Sequence, residues 1–257
     1  MLQFEDVSLS FSGLEVLHSI NFDVQPGELF AIIGPNGAGK TSIFNCLSGV
    51  YQPDLGSIRF LGQQINGSHP HRIAGMGMAR TFQNIELFRN LSLLDNLMLG
   101  RHQHLTYGPL RAMWYLGRTK KEEVRHRAIV EEIIEFLEIE QYRSQPVGLL
   151  PYGIQKRIEL GRALAMEPKM LLLDEPVAGM NSEETEDMAR FILDIREELD
   201  LSILLVEHDM GLVMDIADRV LVLDFGKPVA LDVPSQVQTN PEVIKAYLGE
   251  QHAVAKT

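Results

Sequence analysis

The stretch Gly34 to Thr41, GPNGAGKT, constrains this chain more than any other, because it fits G-x-x-x-x-G-K-S/T with hydrophobic sequence on both sides. Leu29 to Ile33 is a short apolar run of the kind that forms a buried parallel strand, and Thr41 to Leu47 continues as a helix. Strand, loop and helix in that order make a phosphate cradle. Gly34, Gly37 and Gly39 let the backbone turn its N–H groups toward one anion, and the positive end of the helix dipole adds to the attraction. Lys40 is placed to reach β- and γ-phosphates, and Thr41 offers a hydroxyl to Mg²⁺, a hard cation that takes oxygen ligands. Pro35, Asn36, Ala38 and Ser42 complete the candidate nucleotide-binding set.

With 45% hydrophobic residues among 257, the chain buries a sizeable core in one large domain or two small ones. Its formal net charge of -12 argues against broad attraction to nucleic acid or anionic lipid, and no nucleic-acid partner is expected. The single cysteine, Cys46, excludes an internal disulfide and reads as a buried apolar residue of the helix after the cradle. No apolar run approaches the roughly 18 residues of a membrane span, and MLQFEDVSLSF lacks the basic and apolar regions of a signal peptide. The expectation is a cytoplasmic chain whose membrane role comes through a partner.

Residues Leu2 to Leu9, Val16 to Val24 and Leu29 to Ile33 read as strands of an N-terminal layer, with Pro26 and Gly27 turning between the last two. Phe11 falls in a turn-like stretch, as an aromatic platform for a base or as the edge of the core. Gly56 to Ile65 has the pattern of a small hairpin, and His69 and His71 flank Pro70 in a polar loop that lacks the partners of a metal site. Ala79 to Gln83, ARTFQ, reads as an extended segment ending in an amide. From Asn90 to about Leu164 the periodicity is helical, with Leu93, Leu94, Leu97 and Met98, then Ile129, Ile133 and Phe136, as apolar stripes. Between them, Tyr107 to Arg127 concentrates Arg111, Arg118, Lys120, Lys121, Arg125 and Arg127 with Met113, Trp114 and Tyr115, the pattern either of a docking segment or of an ordinary surface insertion.

Met170 to Leu173 is another buried strand, and it ends in Asp174 and Glu175. Asn181 and Glu184 form a capping box before a helical stripe of Met188, Phe191, Ile192, Ile195 and Leu199. Ser202 to Val206 is a third buried strand, ending in Glu207, His208 and Asp209; then come a strand Val220 to Leu223, a turn at Gly226, a helix near Val243 to Leu248 and a frayed tail over 250–257. Carboxylates and imidazoles at the carboxyl ends of parallel strands point into the ligand crevice. Asp174 is therefore placed to hold Mg²⁺ through its water shell, Glu175 to polarise the attacking water, and His208 to contact the γ-phosphate, an inventory for hydrolysing a nucleoside triphosphate.

With those stretches in hand, the chain resembles the ATP-binding subunits of ATP-binding cassette transporters over nearly its whole length. GPNGAGKT looks like their Walker A loop, Gln83 like the Q-loop glutamine, LLLDEP like Walker B and VEHDM like the histidine switch. The resemblance implies an α/β P-loop NTPase core with an N-terminal antiparallel sheet layer and an inserted helical signature subdomain. It divides the chain into a core of residues 1–88 and 165–240, a signature subdomain of 89–164, and a C-terminal helix and tail of 241–257. It implies that Phe11 stacks on adenine, that Gln83 touches Mg²⁺, and that ATP and Mg²⁺ are the cofactors. The signature, usually LSGGQ, corresponds here to Leu150, Pro151, Tyr152, Gly153 and Ile154, a departure at three of five positions. Pro151 replaces the serine that meets the γ-phosphate held by the opposite subunit, while Gly153 keeps one backbone N–H for that phosphate.

Within the family, ARTFQNIELFRNLSLLDNLMLGRH, the insertion after it and EPVAGMNSEET are similar to the larger ATPase of branched-chain amino acid importers. That implies a peripheral position on the inner face of a bacterial membrane, two permease partners, a second ATPase subunit as heterodimer or homodimer, and an extracytoplasmic binding protein acting indirectly. Two other readings stay open at the level of sequence: an ATPase of lipopolysaccharide export, and a nucleotide-binding regulatory module with little turnover because of the altered signature.

Overall fold

The computed structural model describes the backbone of residues 1–104 and 118–254. Most of the basic stretch 107–127 lies outside the described residues, Arg111, Met113, Trp114, Tyr115 and the side chains of Arg118, Lys120 and Lys121 included.

The chain opens with β1 (Leu2–Phe11) and β2 (Leu14–Val24), then β3 (Leu29–Ile33), α1 (Lys40–Leu47), β4 (Leu55–Phe60) and β5 (Gln63–Gln64). Strands β1, β2, β4 and β5 form a four-stranded antiparallel sheet in the order β2-β1-β4-β5. β1 runs two residues further than its hydrophobic pattern suggests, so Phe11 ends a strand instead of lying in a turn. Pairing with Leu14 across the short Ser12-Gly13 connection carries the ladder that far.

Next come α2 (Pro70–Gly75), β6 (Met78–Arg80), α3 (Leu93–Gly100), α4 (Arg118–Phe136) and α5 (Tyr152–Leu164). The His69-Pro70-His71 segment, expected as a loop, starts α2, because proline at the first helical position has no N–H to lose and a suitable φ. The two imidazoles stack at 5.7 Å, and among the described residues no group of three or more His, Cys, Asp or Glu side chains is placed to hold a metal ion.

The chain then runs through β7 (Met170–Asp174), α6 (Ser182–Leu199), β8 (Ser202–Val206), α7 (Met210–Ile216), β9 (Arg219–Asp224), β10 (Lys227–Asp232), α8 (Pro234–Thr239) and α9 (Pro241–Val254). The second sheet has the order β10-β9-β3-β8-β7-β6, parallel except for the antiparallel edge strand β10. Every residue of β3, β7 and β8 is buried, which is why these strands read as unbroken apolar runs. The capping box of α6 is present, with Asn181 accepting the Glu184 N–H and Glu184 accepting the Asn181 N–H, but Leu199 at the helix end is exposed and does not continue the stripe. Sequence reading missed α7, β10 and α8. Helix α9 continues through Val254, so part of the expected tail is helical.

Two cores flank the parallel sheet. One face packs on the antiparallel layer through Phe4, Phe22, Phe30, Phe44 and Phe60, and includes Cys46, whose thiol is pushed up to about 12 by burial. The other joins Leu93, Leu97, Val130, Ile134 and Ile158 of the helical region to Leu171, Leu173, Ile203 and Leu205 of the sheet in one cluster. Among the described residues no helix is long and apolar enough to cross a membrane.

Candidate functional site

The ends of three neighbouring strands build the site. β3, β8 and β7 are adjacent, and the register pairs Ile32 with Val206 and Val206 with Asp174, so the residues after each strand leave the sheet at nearly one level. That level is the carboxyl edge, where parallel sheets bind ligands.

The loop between β3 and α1 is closed on itself by the Ala38 N–H donating to the Pro35 carbonyl at 3.1 Å. The turn at Gly226 grips it from outside: its N–H donates to Ala38 O and its carbonyl accepts the His18 N–H, both at 2.9 Å. Gly39 is the N-cap of α1 at φ 104°, and a Cβ there would stand 2.9 Å from Leu17 Cδ2, so neither the conformation nor the packing admits a side chain. The first turn of α1 carries no acidic residue, which leaves the positive end of its dipole available to an anion. Lys40 is buried, and its ammonium curls back to donate to Gly34 O at 2.5 Å and Pro35 O at 3.1 Å. Asn36, Gly37 and Thr41 are exposed at the mouth, Pro35 and Ser42 partly so, and Gly34 and Ala38 are buried. Phe11 presents a half-exposed ring, fixed edge-on against Tyr51 at 4.9 Å between centroids.

Gln83, Glu175 and His208 meet on the other side. Gln83 Nε2 donates to Glu175 Oε2 at 2.8 Å, and His208 Nδ1 lies 3.7 Å from the same oxygen. Glu175 adopts φ 47°, a left-handed backbone that costs a non-glycine residue about 1 to 3 kcal/mol. The backbone holds it there: its N–H bonds Val206 O at 2.9 Å, and its carbonyl accepts the Ala178 N–H at 3.2 Å. The His208 side chain is mostly exposed at this edge.

Asp174 is buried, and its Oδ2 accepts from Arg80 Nη2 at 2.7 Å. Burial holds its carboxyl above the ordinary carboxylate range, with the hydrogen bond and charge of Arg80 opposing the rise in part. Asp174, Thr41 and Gln83 each carry a side-chain oxygen, the donor type that Mg²⁺ takes.

The signature segment begins α5. Pro151 is the N-cap, with no side-chain hydrogen bond to the helix, and its carbonyl accepts the Gln155 N–H at 3.0 Å. Leu150 and Gly153 are buried, Tyr152 is exposed over Gly179, and Ile154 is partly buried. A Cβ on Gly153 would stand 2.5 Å from Glu184 Oε1, so a side chain there would require the Glu184 carboxylate to shift.

Four charged residues at the site were not picked out from the sequence. Arg80 meets Asp174. Lys156 and Glu159, both buried and 3.6 Å apart, bind the backbone of the Gln83 segment: Lys156 Nζ donates to Gln83 O at 3.0 Å, and Glu159 Oε1 accepts the Phe82 N–H at 3.3 Å. Glu207 is fully buried and accepts the N–H groups of Val177, His208 and Asp209, which ties the end of β8 to the segment after β7; burial nonetheless pushes its carboxyl up. The available signal was a charge standing within or at the end of an apolar pattern.

Comparison with known proteins identifies the family and the fold. The family described as ABC transporter matches residues 17–178, and the branched-chain amino acid ATP-binding cassette transporter family matches residues 227–253. The chain is 39% identical to the high-affinity branched-chain amino acid transport ATP-binding protein BraF of Pseudomonas aeruginosa, over 97% of this chain and 98% of that one. It is also 39% identical to the protein of that description, LivG, of Escherichia coli K12, over 97% and 98%. Among solved structures, the ADP conformation of an ATP-binding cassette of an ABC transporter superposes with a TM-score of 0.84 at 28% identity, over 97% of this chain and 98% of that one. A nucleotide-free ATP-binding cassette superposes at 0.83 with 27% identity, over 96% and 98%.

Proposed function

The chain belongs to the ATP-binding cassette transporter family, and from that premise we propose that it binds and hydrolyses ATP to power an importer of branched-chain amino acids. The observation that carries the reading is the convergence of Gln83, Glu175 and His208 at the carboxyl edge of the same sheet whose strand β3 leads into the phosphate loop.

The residues divide the work by their chemistry. The loop N–H groups of residues 34–41 and the Lys40 ammonium bind the β- and γ-phosphates, for which Lys40 exchanges its carbonyl partners. Phe11 offers its ring face to adenine, with Tyr51 holding it upright. Thr41, Gln83 and, through water, Asp174 hold Mg²⁺, which supplies neutralisation of phosphate charge when bound. Glu175 accepts a proton from the attacking water; Gln83 orients that carboxylate, and His208 is close enough to share in holding the γ-phosphate. Leu150 to Ile154 act on the ATP site of a second ATPase subunit. Two permeases and an extracytoplasmic binding protein complete the assembly, with this chain peripheral on the inner face of the membrane.

The test is transport. In liposomes holding the permeases, both ATPase subunits and the binding protein, enclosed ATP is expected to drive leucine uptake, and Glu175→Gln in this chain to reduce it strongly. Hydrolysis of ATP without uptake of leucine, isoleucine or valine would reject the substrate assignment.

A further inference from the structure

Arg80 stands at the end of β6, three residues before Gln83, and its guanidinium joins three elements of the site. Nη2 bonds Asp174 Oδ2 at the end of β7, while Nη1 bonds both Asn45 Oδ1 and Ser48 Oγ of the helix that follows the phosphate loop, each at 2.9 Å. Its Cζ lies over the rings of Phe44 and Phe82, 5.3 and 5.1 Å from their centroids. The side chain is nine-tenths buried, and its Nε has no hydrogen-bond partner among the described residues. A buried donor left unpaired is costly. The site therefore keeps the forked contact to Asp174, Asn45 and Ser48 at the expense of full satisfaction, which is the mark of a group placed for direction. A lysine in its place supplies a charge but no planar fork.

We propose that Arg80 is a positioning residue for the nucleotide-bound divalent cation: it takes one oxygen of Asp174 and so fixes where the other is presented to the ion's water shell. Asp174 gains an orientation referenced directly to the phosphate-loop helix through Asn45 and Ser48, so two of the cation's three protein supports, Thr41 on α1 and Asp174 on β7, move as one body. This rests on the assignment of Asp174 to the cation.

The experiment is an electron paramagnetic resonance titration of Mn²⁺ into the full chain saturated with a non-hydrolysable ATP analogue, with the analogue's affinity in EDTA and the thermal unfolding midpoint measured alongside. Asp174→Asn tests the underlying assignment, and Arg80→Gln and Arg80→Lys test the proposal. Asp174→Asn and Arg80→Gln are each expected to weaken Mn²⁺ binding about tenfold, the size of one hydrogen bond to a charged group. Arg80→Lys is expected to fall between Arg80→Gln and wild type. A structural role alone would lower the unfolding midpoint and the EDTA affinity and leave the Mn²⁺ midpoint unchanged. If Asp174→Asn weakens Mn²⁺ and Arg80→Gln does not, the proposal fails and the Asp174 assignment stands; if neither shifts, both fail. Tighter Mn²⁺ binding in Arg80→Gln overturns the proposal as well, because the guanidinium would then compete with the ion. If Arg80→Gln does not fold, an unchanged Mn²⁺ midpoint in folded Arg80→Lys decides against it.

Discussion

The side-chain amide of Gln83 donates to the carboxylate of Glu175 at 2.8 Å, joining the segment after β6 to the end of β7. Lys156, on the signature helix α5, holds the carbonyl of the same glutamine at 3.0 Å. The residue that orients the proposed base is thus anchored to the helix proposed to serve the opposite subunit.

Replacement of Glu175 by Gln is expected to leave ATP binding near its wild-type affinity and to slow hydrolysis at this chain's own site by about a hundredfold or more, the usual contribution of a positioned base. The amide keeps the volume and an oxygen for Gln83 but cannot take a proton from water. Nucleotide titration and single-turnover phosphate release measure the two effects separately. Near-normal turnover at this site would remove Glu175 from the role of base.

The buried pair on α5 makes a second prediction. Lys156→Met leaves Glu159 ionisable and unpaired in the core, and losing one partner of a buried ion pair costs about 3 to 5 kcal/mol. Burial already pushes Glu159 up, and Lys156 is the charge that opposes this most. A second change, Glu159→Leu, removes the orphaned carboxyl and is expected to restore much of the lost stability. The carbonyls of Phe82 and Gln83 stay unbonded in the double variant, so hydrolysis should remain impaired. Denaturant unfolding and ATPase assays on the same preparations decide it. If activity returns together with stability, the pair does not position Gln83.

A third concerns pH. Arg101 Nε donates to His126 Nδ1 at 3.1 Å, which requires that nitrogen to be unprotonated. Burial, then the charge of Arg101, lowers His126 from its ordinary 6.5; Glu122 opposes this, and His104 and Arg125 add to it. Glu167 faces the same arginine from beyond α5. Because the folded state binds this proton less readily than the unfolded chain, the contribution to stability is present above pH 6.5 and is lost as pH falls from there toward the lowered folded value. His126→Gln keeps an acceptor for Arg101 and does not titrate. Unfolding midpoints of the two proteins should therefore diverge between about pH 7.5 and pH 5.5, with wild type losing more. Parallel losses would mean that His126 does not titrate in this window.

Much of this was legible in the sequence because of covalent proximity. The phosphate loop, the Asp174-Glu175 pair and His208 each follow an unbroken apolar run, and chain order alone identifies strand, turn and side chain. The insertion of β8 between β3 and β7, which brings His208 toward Glu175, is a matter of topology and leaves no local mark. The same holds for Arg80 and Lys156, whose partners are 94 and 73 residues away. The positive φ of Glu175 was illegible for another reason, since the sequence there offers an ordinary acidic residue where a turn of that shape favours glycine. Gly153 was legible for the phosphate role, but its close contact with the Glu184 carboxylate, 31 residues on, was not.

The remaining prediction follows from Pro151, which begins α5 without a side-chain cap. Serine in its place gives the helix an oxygen for its unsatisfied N–H groups, worth about 0.5 to 2 kcal/mol, and loses about 0.4 to 1 kcal/mol because the unfolded chain is no longer restrained by the proline ring. The net change in stability is small. Function should change more, because the same hydroxyl faces the ATP held by the partner subunit in the proposed assembly. A hydrogen bond to a charged phosphate is worth about 1.5 to 3 kcal/mol, or roughly ten- to a hundredfold in rate where it acts in the transition state. The background that isolates the effect is Glu175→Gln, which silences this chain's own site and leaves the partner's. Steady-state phosphate release is expected to rise on adding Pro151→Ser to that background, with an unfolding midpoint close to that of the parent. A rise in the midpoint with no rise in turnover would show that the serine caps its own helix and meets no phosphate. A fall in turnover would mean that the partner's site is fitted to the proline.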